Sequence, residues 1–191
     1  MTKGRLEAFS DGVIAILITI MVLELKVPHG TGWEALRPLL PVLLTYVLSY
    51  VYIGIYWNNH HHLLHACDRI NGKILWANLH LLFWLSLVPF VTRWMGENHL
   101  ATLPTAAYGG VMLLAGAAYT MLEQAIIAQQ GTDSRLAAAV GRDAKAKVSI
   151  ALYAIAVAAA FFNQWISDAL YVSVALLWFV PDRRIESILN Q

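Results

Sequence analysis

Histidines, one cysteine and a few polar side chains set in long apolar runs are the groups in this chain able to do chemistry. Four of the histidines crowd into Asn58-Asn59-His60-His61-His62-Leu63-Leu64-His65, and His80 follows downstream. His61 and His65 lie four apart on one helix face, a spacing that can hold a metal ion. Only Cys67 and Asp68 stand nearby to complete a ligand set. The same imidazoles also suit hydrogen bonding at a membrane surface or proton transfer.

The first apolar run carries a second group of candidates. It reads Arg5-Leu-Glu-Ala-Phe-Ser-Asp-Gly-Val-Ile-Ala-Ile-Leu-Ile-Thr-Ile-Met-Val-Leu-Glu24, with Ser10 and Asp11 more than one turn beyond Arg5. A helical period places Gly12, Ile16, Thr19 and Leu23 on one stripe, with Ile20 beside it. One reading is a helix that packs or faces lipid, with a charged end. The other is a pore wall, where apolar rings gate by dewetting and threonine hydroxyls meet a passing ion. Periodicity does not separate the two. A third group, Asn78, His80 and Ser86, precedes Pro89-Phe-Val-Thr92-Arg93-Trp94, and such amides and imidazoles bond across helices in membranes.

The elements that must position these groups follow from composition. Of 191 residues, 59% are hydrophobic and 13% charged, and the mean hydropathy is +0.58. Ordinary soluble proteins hold roughly 45–50% apolar and 25% charged residues, so this chain has too little charge to cover a soluble surface. A disordered chain, a nucleic-acid binder and a typical cytosolic enzyme are excluded. The single cysteine forbids an intrachain disulfide, and neither a CxxC nor a zinc spacing occurs. HExxH, GxSxG, P-loop and TVGYG-like strings are missing too. No enzyme, cofactor or resident metal is expected.

A membrane-spanning helix needs about 20 mostly apolar residues. Six segments qualify: 6–27, 36–58, 74–92, 103–127, 148–162 and 165–180. The first follows Lys3 and Arg5 as a signal peptide would, but it contains Glu7 and Asp11 and lacks a cleavage site, so it reads as a retained span. Six spans put Lys3, Arg5, Arg69, Lys73, Arg135, Arg142, Lys145, Lys147, Arg183 and Arg184 on one side and only Lys26, Arg37 and Arg93 on the other. The positive-inside rule then makes both termini cytoplasmic. Trp33, Trp94 and Trp165 fall at the outer connections and Trp57, Trp76 and Trp178 toward inner ends, the headgroup level that indoles prefer. The chain reads as one all-α domain, residues 1–191, with no room for a soluble domain. Gly109, Gly110, Gly116, Ala154 and Ala158 in spans four and five read as small residues for close helix packing, and Glu123 as a group that snorkels or pairs with a base.

The first span also resembles a known signature. Arg5-x-x-x-Phe9-Ser10-Asp11-x-x-x-Ala15-Ile16-x-x-Thr19-x-x-x-Leu23-Glu24 is similar to that of the TMEM175 family of potassium channels in its prokaryotic six-span form. Trp57-x-x-His60-His61 and Asn78-x-x-Leu81-Leu82 with Pro89-Phe90 resemble the same family. The resemblance implies a homotetramer in a cell (inner) membrane, with four first helices around a central pore and potassium as the conducted ion. It places the constriction at Ile16, Thr19 and Leu23, with Ile20 able to share the wall. It also implies a polar network bracing the first helix, drawn here from Arg5, Ser10, Asp11, Trp57, His60 or His61, and Asn78. Asp11 is expected to be structural, paired with Arg5 or an imidazole, because an isolated charge near hydrocarbon is costly. A proton-coupled transporter using Asp11 and a histidine, a histidine-rich metalloprotein or oxidoreductase, and a non-conducting assembly factor are the competing classes. The expected partners are further copies of the chain, potassium ions and the lipid bilayer, with no nucleic acid.

Overall fold

The computed structural model describes residues 2–131, 134, 136–137 and 144–179. It is all helical. The elements are α1 (Lys3–Leu23), α2 (Leu40–His65), α3 (Gly72–Ser86), α4 (Val88–Glu97), α5 (Thr102–Gln130), α6 (Ala144–Ala159) and α7 (Gln164–Phe179). Four described stretches are long and apolar enough to cross a membrane: α1, α2 with the turns before it, α3 with α4, and α5. With α6 and α7 they form six legs of a multi-pass membrane protein. Arg135, Arg142, Arg183 and Arg184, which entered the charge argument, and Val180 of the sixth span lie outside the described residues.

Span boundaries shift where the backbone demands it. The first span stops at Leu23, four residues short of the expected Val27, and Glu24 caps it by donating its N–H to the Ile20 carbonyl. The second begins at Leu40 after two short 3-10 turns, Trp33–Ala35 and Arg37–Leu39. Pro41 sits in its first turn, where a missing N–H leaves no bond unmade. It continues to His65, so all four clustered histidines are helical. The third span is two helices, because Pro89 has no N–H to continue the ladder and Leu87 closes a tighter turn onto the Trp84 carbonyl.

The long α5 is the spine, about 43 Å at the helical rise. Its Tyr108, Met112, Ala115, Ala118, Leu122 and Ile126 are fully buried, and its largest packing partners are α3 and α6. Gly109 is the glycine that close approach requires: a Cβ there would meet the Tyr171 hydroxyl of α7. Gly110 and Gly116 meet no such crowding. On α6 the expected Ala154 and Ala158 are exposed; Ala146, Ser149 and Ala156 are its buried small residues, with Ala160 buried in the turn beyond, and Ser167 of α7 donates to the Ala156 carbonyl at 2.7 Å. Glu123 is buried within the bundle rather than snorkelling out. A buried hydroxyl chain ties three helices together, Thr92 donating to Ser49 at 2.7 Å and Ser49 to Tyr108 at 3.1 Å.

Helix α1 lies to one side of this core. It packs on α2, α3 and α4 through Leu6, Ser10, Ile14, Leu17 and Met21, all buried. Their spacing of three and four residues keeps one stripe inward along the helix.

Candidate functional site

Burying that stripe leaves the opposite face of α1 without a partner among the described residues. Gly12, Ile16, Thr19 and Leu23 all lie on it, with Ile16 56% and Leu23 81% exposed. Ile20, 39% exposed, sits at its edge. A Cβ added at Gly12 would touch nothing within 4 Å. Thr19 donates its hydroxyl proton to the Ile16 carbonyl at 2.8 Å. That bond fixes the rotamer and leaves the oxygen lone pairs for a group outside the helix.

The inward face carries a buried polar brace. Asn78 of α3 donates through Nδ2 to the Ser10 hydroxyl at 3.0 Å, and its Oδ1 lies 2.6 Å from His60 Nε2. The amide oxygen only accepts, so His60 carries its proton on Nε2 and donates. Ser10, His60 and Asn78 are each at most 1% exposed, so the bonds satisfy groups that water cannot reach. Three elements meet at one point, and the rotation of α1 is set there.

A second set of contacts lies one step toward solvent. The Trp57 indole N–H donates to Asp11 Oδ1 at 3.0 Å. Its ring stacks on His61 with centroids 6.1 Å apart, and His61 stacks on His65 at 6.1 Å. Lys3 donates to the His65 carbonyl at 2.5 Å, tying the start of α1 to the end of α2.

Each residue expected from the sequence has a place. Ser10, His60 and Asn78 are brought together, and Asp11, Trp57 and His61 form the adjoining set. Asp11 pairs with an indole, not with Arg5 or an imidazole; the Arg5 side chain is exposed and makes no hydrogen bond or ion pair with a described residue. His60 takes the inward position and His61 the stacking one, because successive helix positions point about 100° apart. His80 stays away from both and accepts from Trp84 at 2.9 Å on its own helix. Cys67 is buried and donates to the Arg69 carbonyl at 3.3 Å, and burial pushes its thiol pKa up, disfavouring the thiolate a metal needs. Among the described residues no three His, Cys, Asp or Glu side chains are grouped to hold a metal.

The structure adds residues that sequence reasoning passed over. Glu7 packs beside the brace with one carboxylate oxygen buried and without a hydrogen bond to a described residue; its place one turn before Ser10 and Asp11 was the available signal. At the opposite end of α1, Arg93 pairs with Glu24 and Glu97, and Lys26 pairs with Glu97. The i,i+4 spacing of Arg93 and Glu97 was visible, but not the approach of Glu24. In α7, both oxygens of Asp168 are buried without a hydrogen-bond partner among the described residues, which no local pattern announced.

Residues 5–89 match the family described as endosomal/lysosomal potassium channel TMEM175. A potassium channel of Chryseobacterium sp. (strain P1-3) is 53% identical over 191 residues, all of this chain and all of the relative. The crystal structure of a lysosomal potassium-selective channel TMEM175 homolog from Chamaesiphon minutus superposes with a TM-score of 0.82 at 29% identity, covering 94% of this chain and 97% of that one. The endosomal/lysosomal proton channel TMEM175 of Gallus gallus is 41% identical over 109 residues, 51% of this chain and 22% of the relative.

Proposed function

The chain belongs to the TMEM175 family of ion channels, and from that premise we propose that it is a potassium-favouring cation channel operating by passive permeation. Four copies assemble with their α1 helices around a central axis, in a cell (inner) membrane, with both termini cytoplasmic. Each chain acts as one six-span unit, and several must assemble because one α1 helix cannot enclose a pore. Ile16, Thr19 and Leu23 form the constriction, with Ile20 at its margin.

One observation carries this reading. The face of α1 that holds Gly12, Ile16, Thr19 and Leu23 is left exposed by the described residues, while the opposite face is buried and bonded through Ser10. The exposed face runs from Ala15 and Val22 round to Phe9 and Ile20, with Gly12, Ile16, Thr19 and Leu23 along its middle, and in four copies gathered about α1 that midline meets the axis. An apolar ring at Ile16 gates by the cost of wetting it, and discrimination arises from tightness and dehydration rather than from a carbonyl cage.

The test is the reversal potential of reconstituted protein with potassium on one side and sodium on the other. A reversal near the potassium equilibrium potential is expected, and Ile16→Asn should wet the ring, raise conductance and move the reversal toward zero. Unchanged currents and permeability ratios in Ile16→Asn would remove that residue from the pore.

A second reading, proton permeation, is favoured by the name of the Gallus gallus relative and by the placement of Glu7, Asp11 and His61 at one end of α1. A pH gradient imposed without potassium or sodium discriminates: a current that follows it supports proton conduction.

A further inference from the structure

At the end of α1 away from the brace, four charged groups form one network. Glu24 directly follows Leu23, the last helical residue of the exposed stripe. Arg93 Nη1 pairs with Glu24 Oε2, and Arg93 Nε lies 3.3 Å from Glu97 Oε1. Lys26 Nζ reaches that same Glu97 oxygen at 2.7 Å. Two cations face two anions, and the set is neutral.

A clamp and a charge balance are the two roles such a set can have. Its members keep between a third and two thirds of their side-chain surface exposed. Ion pairs this accessible to water add little to holding a helix in place. Helix α1 is already held by five buried side chains and by the Asn78 amide. The field is another matter: an uncancelled carboxylate at a pore mouth concentrates cations, and its reach is set by salt.

We propose that Arg93 is a charge-cancelling residue at the mouth formed by the C-terminal ends of α1, neutralising Glu24 and Glu97 so that they do not draw cations into the pore. This rests on the reading of α1 as the pore helix. Arg93 thereby limits conductance from that side, which is the outer side in the proposed orientation. Its partner in the balance is Lys26, which does for Glu97 what Arg93 does for Glu24.

Sign arithmetic separates this from a clamp. Arg93→Gln leaves one net negative charge per subunit, Glu24→Gln leaves one net positive, and the double variant is neutral again. Single-channel conductance for cations entering from that side is measured in reconstituted bilayers at about 10 mM and about 1 M salt, where the screening length is about 30 Å and 3 Å. At low salt Arg93→Gln is expected to raise conductance about two- to fivefold, Glu24→Gln to lower it similarly, and the double variant to match the parent. At high salt the four proteins should agree within about 20%.

Shifts of all three variants in one direction, or differences that persist at high salt, would show a clamp and overturn the proposal. Lys26→Gln makes the same charge change as Arg93→Gln without touching the Glu24 contact, and it decides the question where Arg93→Gln fails to assemble. Ile16→Asn is recorded alongside. If it alters conductance while the charge set does not, the charge proposal fails by itself; if neither has an effect, the pore reading has failed.

Discussion

Trp57 and Asp11, far apart in sequence, meet across the α1–α2 interface with the indole N–H donating to the carboxylate at 3.0 Å. The contact gives an ionisable group in a membrane helix a fixed donor and holds its charge toward α2, to one side of the Gly12–Leu23 stripe. It sits beside the Ser10–Asn78–His60 chain, so two sets of bonds set the rotation of one helix.

Trp57→Phe and Asp11→Ala are each expected to lower the thermal stability of the detergent-solubilised assembly by about 0.5–1.5 kcal/mol, with little further loss in the double variant. A double variant that loses the full sum would show that the two side chains do not act on each other. Asp11→Asn keeps an acceptor for the indole and should retain assembly. Altered cation affinity in a fully assembled Asp11→Asn would place the carboxylate in the conduction path instead.

Asn78→Leu strands the Ser10 hydroxyl and the His60 N–H in a site closed to water. A loss of about 1–3 kcal/mol per stranded group is expected, read as a lower midpoint in thermal or denaturant unfolding. Ser10→Ala removes only one end of the chain and should cost less. Equal losses in the two variants would mean that the Asn78–His60 bond contributes nothing.

Thr19 tests the wall of the pore. Thr19→Val keeps the shape and removes the oxygen, so a several-fold fall in single-channel conductance is expected, while Thr19→Ser keeps the hydroxyl and should stay near the parent. Parent-like conductance in Thr19→Val would exclude the hydroxyl from ion contact.

Gly109 and Gly110 are adjacent and chemically identical, yet their substitutions should differ. A Cβ at Gly109 would lie 2.0 Å from the Tyr171 hydroxyl, which donates to the Thr105 carbonyl at 3.0 Å. Gly109→Ala is therefore expected to cost about 1–3 kcal/mol by overpacking. Gly110→Ala has open space and should be neutral or slightly stabilising, since alanine favours the helix by up to about 1 kcal/mol. Unfolding midpoints of the two variants check the contrast.

Much of the fold was legible from local pattern. Apolar runs of membrane length mark the spans because hydrocarbon leaves a backbone few choices but helix, and the stripe Gly12, Ile16, Thr19 and Leu23 follows from 3.6 residues per turn. The break at Leu87 was less legible. Pro89 was in view, but a proline can kink a helix or end it, and packing of α4 against α2 and α5 decides how much bend is tolerated.

The sequence by itself determined what depends on neighbours along the chain: a membrane protein, its helices, and which residues share a face of α1. Tertiary structure alone decided which face is free, that His60 rather than His61 bonds Asn78, that Asp11 meets Trp57, that Gly109 and not Gly110 admits a neighbour, and that Arg93 reaches Glu24. Each of these depends on how one helix is rotated about its axis and how closely another approaches. A change of one residue in register turns a side chain by about 100°, and no repeat within a single helix records the position of its partner.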